Sequence, residues 1–133
     1  MRKTYVVSAK RSAIGSFLGS LTTVKPVDLG ATVVKALLED AKVAPENVDE
    51  LLCGNVLSAG LGQNIARQVA LAAGIPETVC SHSVNMVCGS GLRTVMEGVM
   101  SIQTGFNEIV VAGGGTRGGN GIRIRSEEHT SEL

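Results

Sequence analysis

The chain has 133 residues, of which 44% are hydrophobic and 18% are charged, and its formal net charge at neutral pH is zero. That length suits one domain, and the high apolar fraction argues against intrinsic disorder. A balanced charge with no recurring basic patch argues against non-specific binding of nucleic acid. No apolar run approaches the ~20 residues that a membrane-spanning helix needs, and we see neither a signal peptide nor a transit peptide. We therefore expect a cytoplasmic protein that binds neither nucleic acid nor membranes.

The three cysteines, Cys53, Cys80 and Cys88, lack the spacing of a zinc site and cannot all pair with one another. A reducing compartment fits them better than a disulfide framework, and we expect no metal site. Cys53 and Cys80 fall in apolar strand patterns, so we expect both to be small core residues.

Hydrophobic periodicity divides the chain into strands that alternate with helices. The predicted strands are Lys3–Ala9, Asp49–Leu57, Val79–Asn85 and Glu108–Ala112, and the predicted helices are Val27–Lys42, Asn64–Ala73 and Gly89–Thr104. The order βαβαβαβ predicts an α/β fold with a parallel or mixed sheet and right-handed crossovers. The third helix is so apolar that we expect it to be buried on most of its sides.

The most informative segment runs from Ser83 to Leu92 and places Cys88 between a short apolar strand and a helical pattern. The unpaired N–H groups and the dipole of a helix N-terminus favour negative charge, and the thiolate is the nucleophilic form of cysteine. Gly89 and Gly91 would let a substrate carbonyl approach the thiol and the backbone donors together. The segment predicts that Cys88 is a catalytic nucleophile. The competing interpretation is a buried structural cysteine at a helix start.

Three blocks of the sequence resemble the thiolase family, and they occur in the order in which that family has them. They are Val6–Phe17, Gly54–Gln68 and Ser83–Leu92, the last with the pattern V-N-x-V-C-G-S-G-L intact. The resemblance extends from about Lys3 to about Gly114 and is closest to the acetyl-CoA acetyltransferase branch. It implies the thiolase fold, with layers αβαβα, of which residues 1–115 would form most of the N-terminal lobe.

The resemblance also implies a chemistry for Cys88. In the family this cysteine takes an acyl group from a CoA thioester, and its backbone N–H is one donor of an oxyanion hole. A Claisen condensation of two acetyl-CoA to acetoacetyl-CoA, or its reverse, follows. That step uses a histidine in a G-H-P motif and a second cysteine in a C-x-G motif, and neither motif occurs here. We therefore expect acetyl-CoA or another acyl-CoA as substrate, no further cofactor, and no complete reaction from this chain alone.

The family further implies a homo-oligomer, in which the strand Val79–Asn85 lies at a sheet edge and pairs across a dimer interface. The residues that would bind CoA are not identified by the resemblance, because most of the family's CoA contacts come from a loop domain outside this sequence. Four cationic side chains could meet CoA phosphates, although solvated surface charge is their expected role. They are Lys3, Lys10, Arg11 and Arg67.

Two other residues near Cys88 invite a catalytic interpretation. His82 lies six residues before Cys88 in an extended strand, which carries it well away from the thiol, so we expect a surface or core histidine. Ser90 does not fit a hydrolase nucleophile, because the pattern G-x-S-x-G would need glycine at positions 88 and 92. A third pattern, G-x-G-x-x-G at Gly113, Gly115 and Gly118, lacks the acidic residue that a dinucleotide site requires about twenty positions on.

The chain changes character in residues 116–133. After an Ala-Gly-Gly turn the family usually continues with a Glu and a Met-Ser pair, whereas Arg117 and further glycines stand here. The last nine residues, Arg125–Leu133, match the translation of a widely used sequencing adapter. We therefore expect residues 116–133 to be an artefactual tail, and His129 within it is assigned no role.

Three interpretations of the whole sequence remain. The first is an N-terminal fragment of a working acetyl-CoA acetyltransferase. The second is a short protein, derived from a thiolase lobe, that binds or dimerises and catalyses nothing. The third is an enzyme of the related ketoacyl-synthase superfamily, which the block Gly54–Gln68 disfavours because it is thiolase-like.

Overall fold

A computed structural model describes residues 2–13, 15, 19–21, 23–118 and 121–126, with side chains described up to residue 115. The elements are α1 (Pro26–Ala41), a 3-10 turn (Pro45–Asn47), β1 (Glu50–Gly54), α2 (Ile65–Ala72), β2 (Cys80–Val84), α3 (Ser90–Gln103), β3 (Val110–Gly118) and β4 (Gly121–Ser126).

The strands form one mixed sheet in the order β2-β1-β3-β4. β1 is parallel to both β2 and β3, whereas β4 runs antiparallel to β3. The α/β fold predicted from the element order is therefore confirmed. In the described part of the chain β2 lies at the edge of the sheet, as the resemblance implied for the strand Val79–Asn85.

The helices lie on both faces of the sheet because the strand side chains alternate in direction. One face carries α1 and α2, and their apolar stripes meet Leu51 of β1 and Val111 of β3. The buried core on this face consists of aliphatic side chains: Ala31, Val34, Leu38, Val48, Leu51, Ile65, Ala66, Val69, Ala70, Ala73, Ile75, Val79 and Val111. The opposite face carries α3, whose Gly98 packs against Val110 of β3.

Local sequence accounts for the helix ends. Pro26 occupies the first turn of α1, where its missing N–H costs no hydrogen bond. The side chain of Asn64 caps α2 by accepting a hydrogen bond from the Arg67 N–H at 3.2 Å. Lys42 ends α1 in the left-handed conformation, with φ 55°.

The prediction of a strand at Lys3–Ala9 is wrong for this structure. Residues 2–10 have no regular secondary structure, and Tyr5, Val6 and Val7 are 73%, 62% and 73% exposed. Strand propensity is not sufficient, because a strand also needs a neighbouring backbone to bond. On the edge of β3 that does not face β1, Gly113–Gly118 are bonded to β4, and residues 2–10 form no ladder with the remaining Val110–Ala112. The segment Thr4–Ser8 instead lines an apolar cavity with side chains of α1, α3 and β3.

The fourth predicted strand is longer than Glu108–Ala112. β3 continues through the glycine run to Gly118, because the backbone groups of that run bond to β1 and then to β4. Gly113, Gly115 and Gly118 thus lie within a strand and do not open a helix. The pairing of β3 with β4 crosses the predicted domain boundary between residues 115 and 116. That boundary stays a prediction, and so does the artefactual origin of residues 116–133.

The prediction that the third helix is buried on most sides is also wrong. α3 buries only Ser90, Thr94 and Gly98, the small residues that face the sheet. Leu92, Met96 and Met100 on its outer side are 52%, 48% and 45% exposed. Within the described residues, no further layer covers that side.

Candidate active site

Cys88 lies in a tight turn, residues 85–89, that joins β2 to α3; we call it the Cys88 turn. The thiol is exposed, and two residues later Ser90 begins α3. Val87 has a φ of 52°, in the left-handed region. A β-branched residue is rarely found there, and such a conformation costs about 1–3 kcal/mol unless the surroundings hold it.

Two side chains hold this strained backbone in place. The Ser90 hydroxyl accepts a hydrogen bond from the Met86 N–H at 2.8 Å and donates one to the Val87 carbonyl at 2.7 Å. The Asn85 side-chain oxygen accepts a hydrogen bond from the Val87 N–H at 3.1 Å. Ser90 is therefore a buried structural residue of the turn, consistent with the sequence argument against a hydrolase nucleophile.

Glycines place the start of α3 directly over the carboxyl ends of β1 and β3. A Cβ atom at Gly54 would lie 2.6 Å from the Ser90 carbonyl carbon and 2.7 Å from the Gly91 nitrogen. A Cβ atom at Gly114 would lie 3.0 Å from the Gly91 Cα. Gly91 thus serves the packing of α3 on the sheet, rather than only leaving room for a substrate as the sequence argument supposed.

The turn leaves backbone donors next to the thiol. The N–H groups of Met86, Val87, Gly89 and Ser90 all donate hydrogen bonds within the turn or to α3. Among the described residues, no acceptor is found for the Cys88 N–H. A donor at the start of a helix, beside an exposed thiol, can accept the developing negative charge of a carbonyl oxygen attacked by that thiol.

The other titratable residues that the sequence singled out lie elsewhere. His82 is half exposed, and its ring pairs with Glu50 and Glu97 rather than with Cys88. Cys53 packs against the core, and burial raises the pKa of its thiol to about 11, with a small opposing effect from a backbone hydrogen bond at Gly115. The prediction that Cys80 is a core residue is wrong, because it is exposed on the edge strand β2. His129 lies outside the described residues.

The cationic candidates have structural or solvent contacts. Arg67 donates a hydrogen bond to the Val79 carbonyl at 3.0 Å, Arg11 donates one to the Ser12 carbonyl, and Lys10 lies 3.8 Å from an Asp40 carboxylate oxygen. These contacts fit the expected surface and structural roles. The residues that would bind CoA are thus not identified within this domain.

Two features of the turn escaped the sequence argument. The left-handed backbone at Val87 has no sequence signal, because valine in that context predicts a strand. We call Gly54 and Gly114, on which the start of α3 packs, the glycine seat. The seat did leave a sequence signal, since each glycine follows an apolar strand pattern, and the two pair at the end of the parallel ladder between β1 and β3. Among the described residues, no helix is long and apolar enough to span a bilayer, and no three His, Cys, Asp or Glu side chains are grouped to hold a metal ion.

The sequence profile of the thiolase N-terminal domain matches residues 4–121. The chain therefore belongs to the thiolase family, as the three sequence blocks predicted. It is 54% identical over 114 residues to an acetyl-CoA acetyltransferase of Escherichia coli, a match that covers 86% of this chain and 29% of that protein. It is 53% identical over 109 residues to a cytosolic acetyl-CoA acetyltransferase of Rattus norvegicus, covering 82% of this chain and 28% of the relative.

The fold is likewise that of thiolases. The crystal structure of the Acat5 thiolase from Ascaris suum in complex with coenzyme A superposes with a TM-score of 0.82 at 42% identity. That match covers 84% of this chain and 29% of the other. The chain thus corresponds to the N-terminal portion of the thiolase fold and spans less than a third of the length of these relatives.

Proposed function

We propose that this chain is the N-terminal, nucleophile-bearing domain of an acetyl-CoA C-acetyltransferase. The observation that carries the proposal is the exposed Cys88 thiol in a strained turn at the start of α3, beside its own N–H, for which the described residues offer no acceptor. The names of the relatives, all acetyl-CoA acetyltransferases, support the substrate class.

In the proposed first step the Cys88 thiolate attacks the carbonyl carbon of acetyl-CoA. The carbonyl oxygen becomes an oxyanion within reach of the Cys88 N–H, which stabilises it. The bond from carbon to the CoA sulfur then breaks, CoA leaves as a thiol after taking up the proton that Cys88 lost, and an acetyl thioester remains on Cys88.

In the proposed second step a second acetyl-CoA loses a proton from its methyl carbon, and the resulting carbanion attacks the Cys88 thioester. Acetoacetyl-CoA forms and the thiol of Cys88 is regenerated; the reverse reaction cleaves acetoacetyl-CoA. This step needs acid–base groups that the family resemblance assigns to the G-H-P and C-x-G motifs. Because this chain has neither motif, we expect it to perform at most the first step.

Acetylation tests the proposal directly. The chain is incubated with acetyl-CoA, released CoA is followed with a thiol-specific dye, and the acetylated residue is located by peptide mass spectrometry. We expect an acetyl group on Cys88 in the parent and in Cys80→Ser, and none in Cys88→Ser. An acetyl group on Cys80 alone, or none on either residue, would contradict the nucleophile assignment.

We further propose that the complete protein is a cytoplasmic homo-oligomer that requires no metal or cofactor beyond its CoA substrates. The open edge of the sheet at β2 supports a strand-to-strand interface, because an unpaired edge offers backbone donors and acceptors to a second chain. The cytosolic relative supports the location.

The same edge supports the alternative that the chain binds or dimerises without catalysis. Sedimentation velocity distinguishes the two when it is combined with the acetylation assay. A stable dimer in which Cys88 takes no acetyl group would favour the binding role.

A further inference from the structure

A polar network fastens β2 and β1 to α3 on the face of the sheet that carries the Cys88 turn. His82 lies at its centre, with Nε2 3.1 Å from Glu97 Oε2 and Nδ1 3.3 Å from Glu50 Oε1. Arg93 Nε donates to the other oxygen of Glu97 at 3.1 Å, and Asn107 Nδ2 donates to the other oxygen of Glu50 at 2.6 Å. We call these five side chains the β2–α3 clamp.

Both ring nitrogens of His82 face carboxylate oxygens. An ionised carboxylate only accepts hydrogen bonds, so each ring nitrogen contacts its carboxylate favourably only when it carries a proton. The closer contact, from Nε2 to Glu97, is the hydrogen bond that joins β2 to α3.

The clamp joins the two elements that flank the Cys88 turn. β2 enters the turn after Val84, and α3 leaves it at Ser90. In the described part of the chain β2 is bonded to one neighbouring strand only, so a side-chain tie to α3 restricts its outward movement. The left-handed Val87 between them needs such restriction, because strained backbone persists only where the surrounding structure holds it.

We propose that His82 is a positioning residue for Cys88: its ring ties β2 to α3 and so holds the strained turn. The proposal rests on the proposed function, in which Cys88 is the nucleophile. The charged groups that face His82 are Glu50 from β1 and Glu97 and Arg93 from α3, and the exposed Cys80 lies two residues away on β2 itself.

Amide hydrogen exchange tests the tie without any substrate. Protection factors of the Val87, Gly89 and Ser90 amides, all hydrogen-bonded in the turn, are compared with those of α1 in the same chain. In His82→Gln we expect the turn amides to lose about threefold in protection relative to α1, the size of a partly exposed charged contact.

Two glutamate variants complete the test. Glu97→Gln keeps the size of the side chain, removes the carboxylate, and should lower the protection of the turn amides as His82→Gln does. It also carries the test if His82→Gln does not fold. Glu77→Gln, at an exposed position, should behave like the parent. Unchanged turn protection in both clamp variants, or an equal loss of protection in α1 and the turn, would overturn the proposal.

The reactivity of Cys88 separates this proposal from the proposed function. In a Cys80→Ser background, iodoacetamide reports on Cys88, because Cys53 is packed in the core with its pKa raised to about 11. We expect alkylation at pH 6 to be about threefold slower in His82→Gln than in the parent background, again the size of one partly exposed contact. If turn protection and alkylation follow His82 while acetyl-CoA leaves Cys88 unmodified, the positioning role stands and the proposed function fails. If acetylation occurs but neither measurement depends on His82, the reverse holds.

Discussion

The two faces of the sheet carry the same kinds of residue, but helices cover them to different degrees. The face under α1 and α2 is closed by interlocking aliphatic side chains, and Leu51 and Val48 there are each 2% exposed. The face under α3 also buries a strand residue, Leu52, to 2% exposure, but the helix itself buries only small residues there. Its helix turns Leu92, Met96 and Met100 to the outside.

The difference separates the part of the domain that supplies the core from the part that carries the proposed nucleophile. The closed face supplies the aliphatic core that holds the sheet together. The α3 face supplies a glycine seat, a strained turn with an exposed thiol, and a network of charges. An exposed apolar helix face is typical of a surface that a further layer or a partner covers.

The largest expected effect is the loss of a core side chain from the closed face. Leu51→Ala removes a 2%-exposed side chain from the buried cluster of that face. We expect the free energy of unfolding to fall by about 2–5 kcal/mol, because the cavity cannot collapse fully within close packing. Urea denaturation followed by circular dichroism measures it.

Leu92→Ala is the matched substitution on the open face. Leu92 is 52% exposed in the described structure, so its truncation should cost less than about 1 kcal/mol. Equal losses in the two variants would mean that the outer side of α3 is covered in solution, for instance by self-association, and sedimentation velocity would then reveal the larger species.

A smaller loss of stability than that of Leu51→Ala is expected when Gly54 of the glycine seat is replaced by alanine. Gly54→Ala places a methyl group within 2.7 Å of the backbone of Ser90 and Gly91, so the start of α3 must shift. Overpacking of this kind costs about 1–3 kcal/mol. Because the shift moves the Cys88 turn as well, iodoacetamide labelling of Cys88 in the native chain should change together with the unfolding free energy.

Gly89→Ala is the control for that variant. Gly89 has a negative φ, and a Cβ atom there would lie 3.5 Å from its nearest neighbour, the Met86 carbonyl oxygen. The change should therefore alter stability by less than about 0.5 kcal/mol. A destabilisation as large as that of Gly54→Ala would show that the seat is not the constraint on the turn.

Sequence reasoning predicted what depends on local pattern and on recognisable motifs. The helices Val27–Lys42, Asn64–Ala73 and Gly89–Thr104 are each within two residues of the observed ends, because amphipathic periodicity and helix stops are local signals. The position of Cys88 just before α3 follows from the same signals. Its role as the nucleophile stays a prediction.

Features set by distant partners could not be predicted in the same way. The segment Lys3–Ala9 has strand propensity, but pairing depends on which edge of the sheet is free. The exposure of Cys80 depends on β2 being an edge strand of the described sheet, and that of Leu92 depends on which elements pack against α3. The contacts of His82 join residues 32 and 15 positions apart, a separation that no local pattern reveals.

The smallest expected effect is the loss of stability at acidic pH that Glu97 on the α3 face causes. Partial burial by itself raises the pKa of Glu97, but hydrogen bonds from His82 and Arg93 and their positive charges outweigh it, so the pKa lies below the ordinary value of 4.5. The ionised carboxylate is therefore favoured in the folded state. Its contribution is complete above pH 4.5 and is lost as the pH falls through the lowered value.

Glu97→Gln should accordingly be less stable than the parent at pH 7 by about 0.5 kcal/mol, the size of a partly exposed ion pair. The difference should vanish towards pH 3, where the parent carboxyl also carries a proton. Thermal unfolding at half-unit steps between pH 7 and pH 3 measures it. Glu77→Gln, on an exposed loop of the closed face, should run parallel to the parent throughout. If instead the Glu97→Gln difference persisted at pH 3, the side chain would be acting through packing, and the charge network would not be what distinguishes the α3 face.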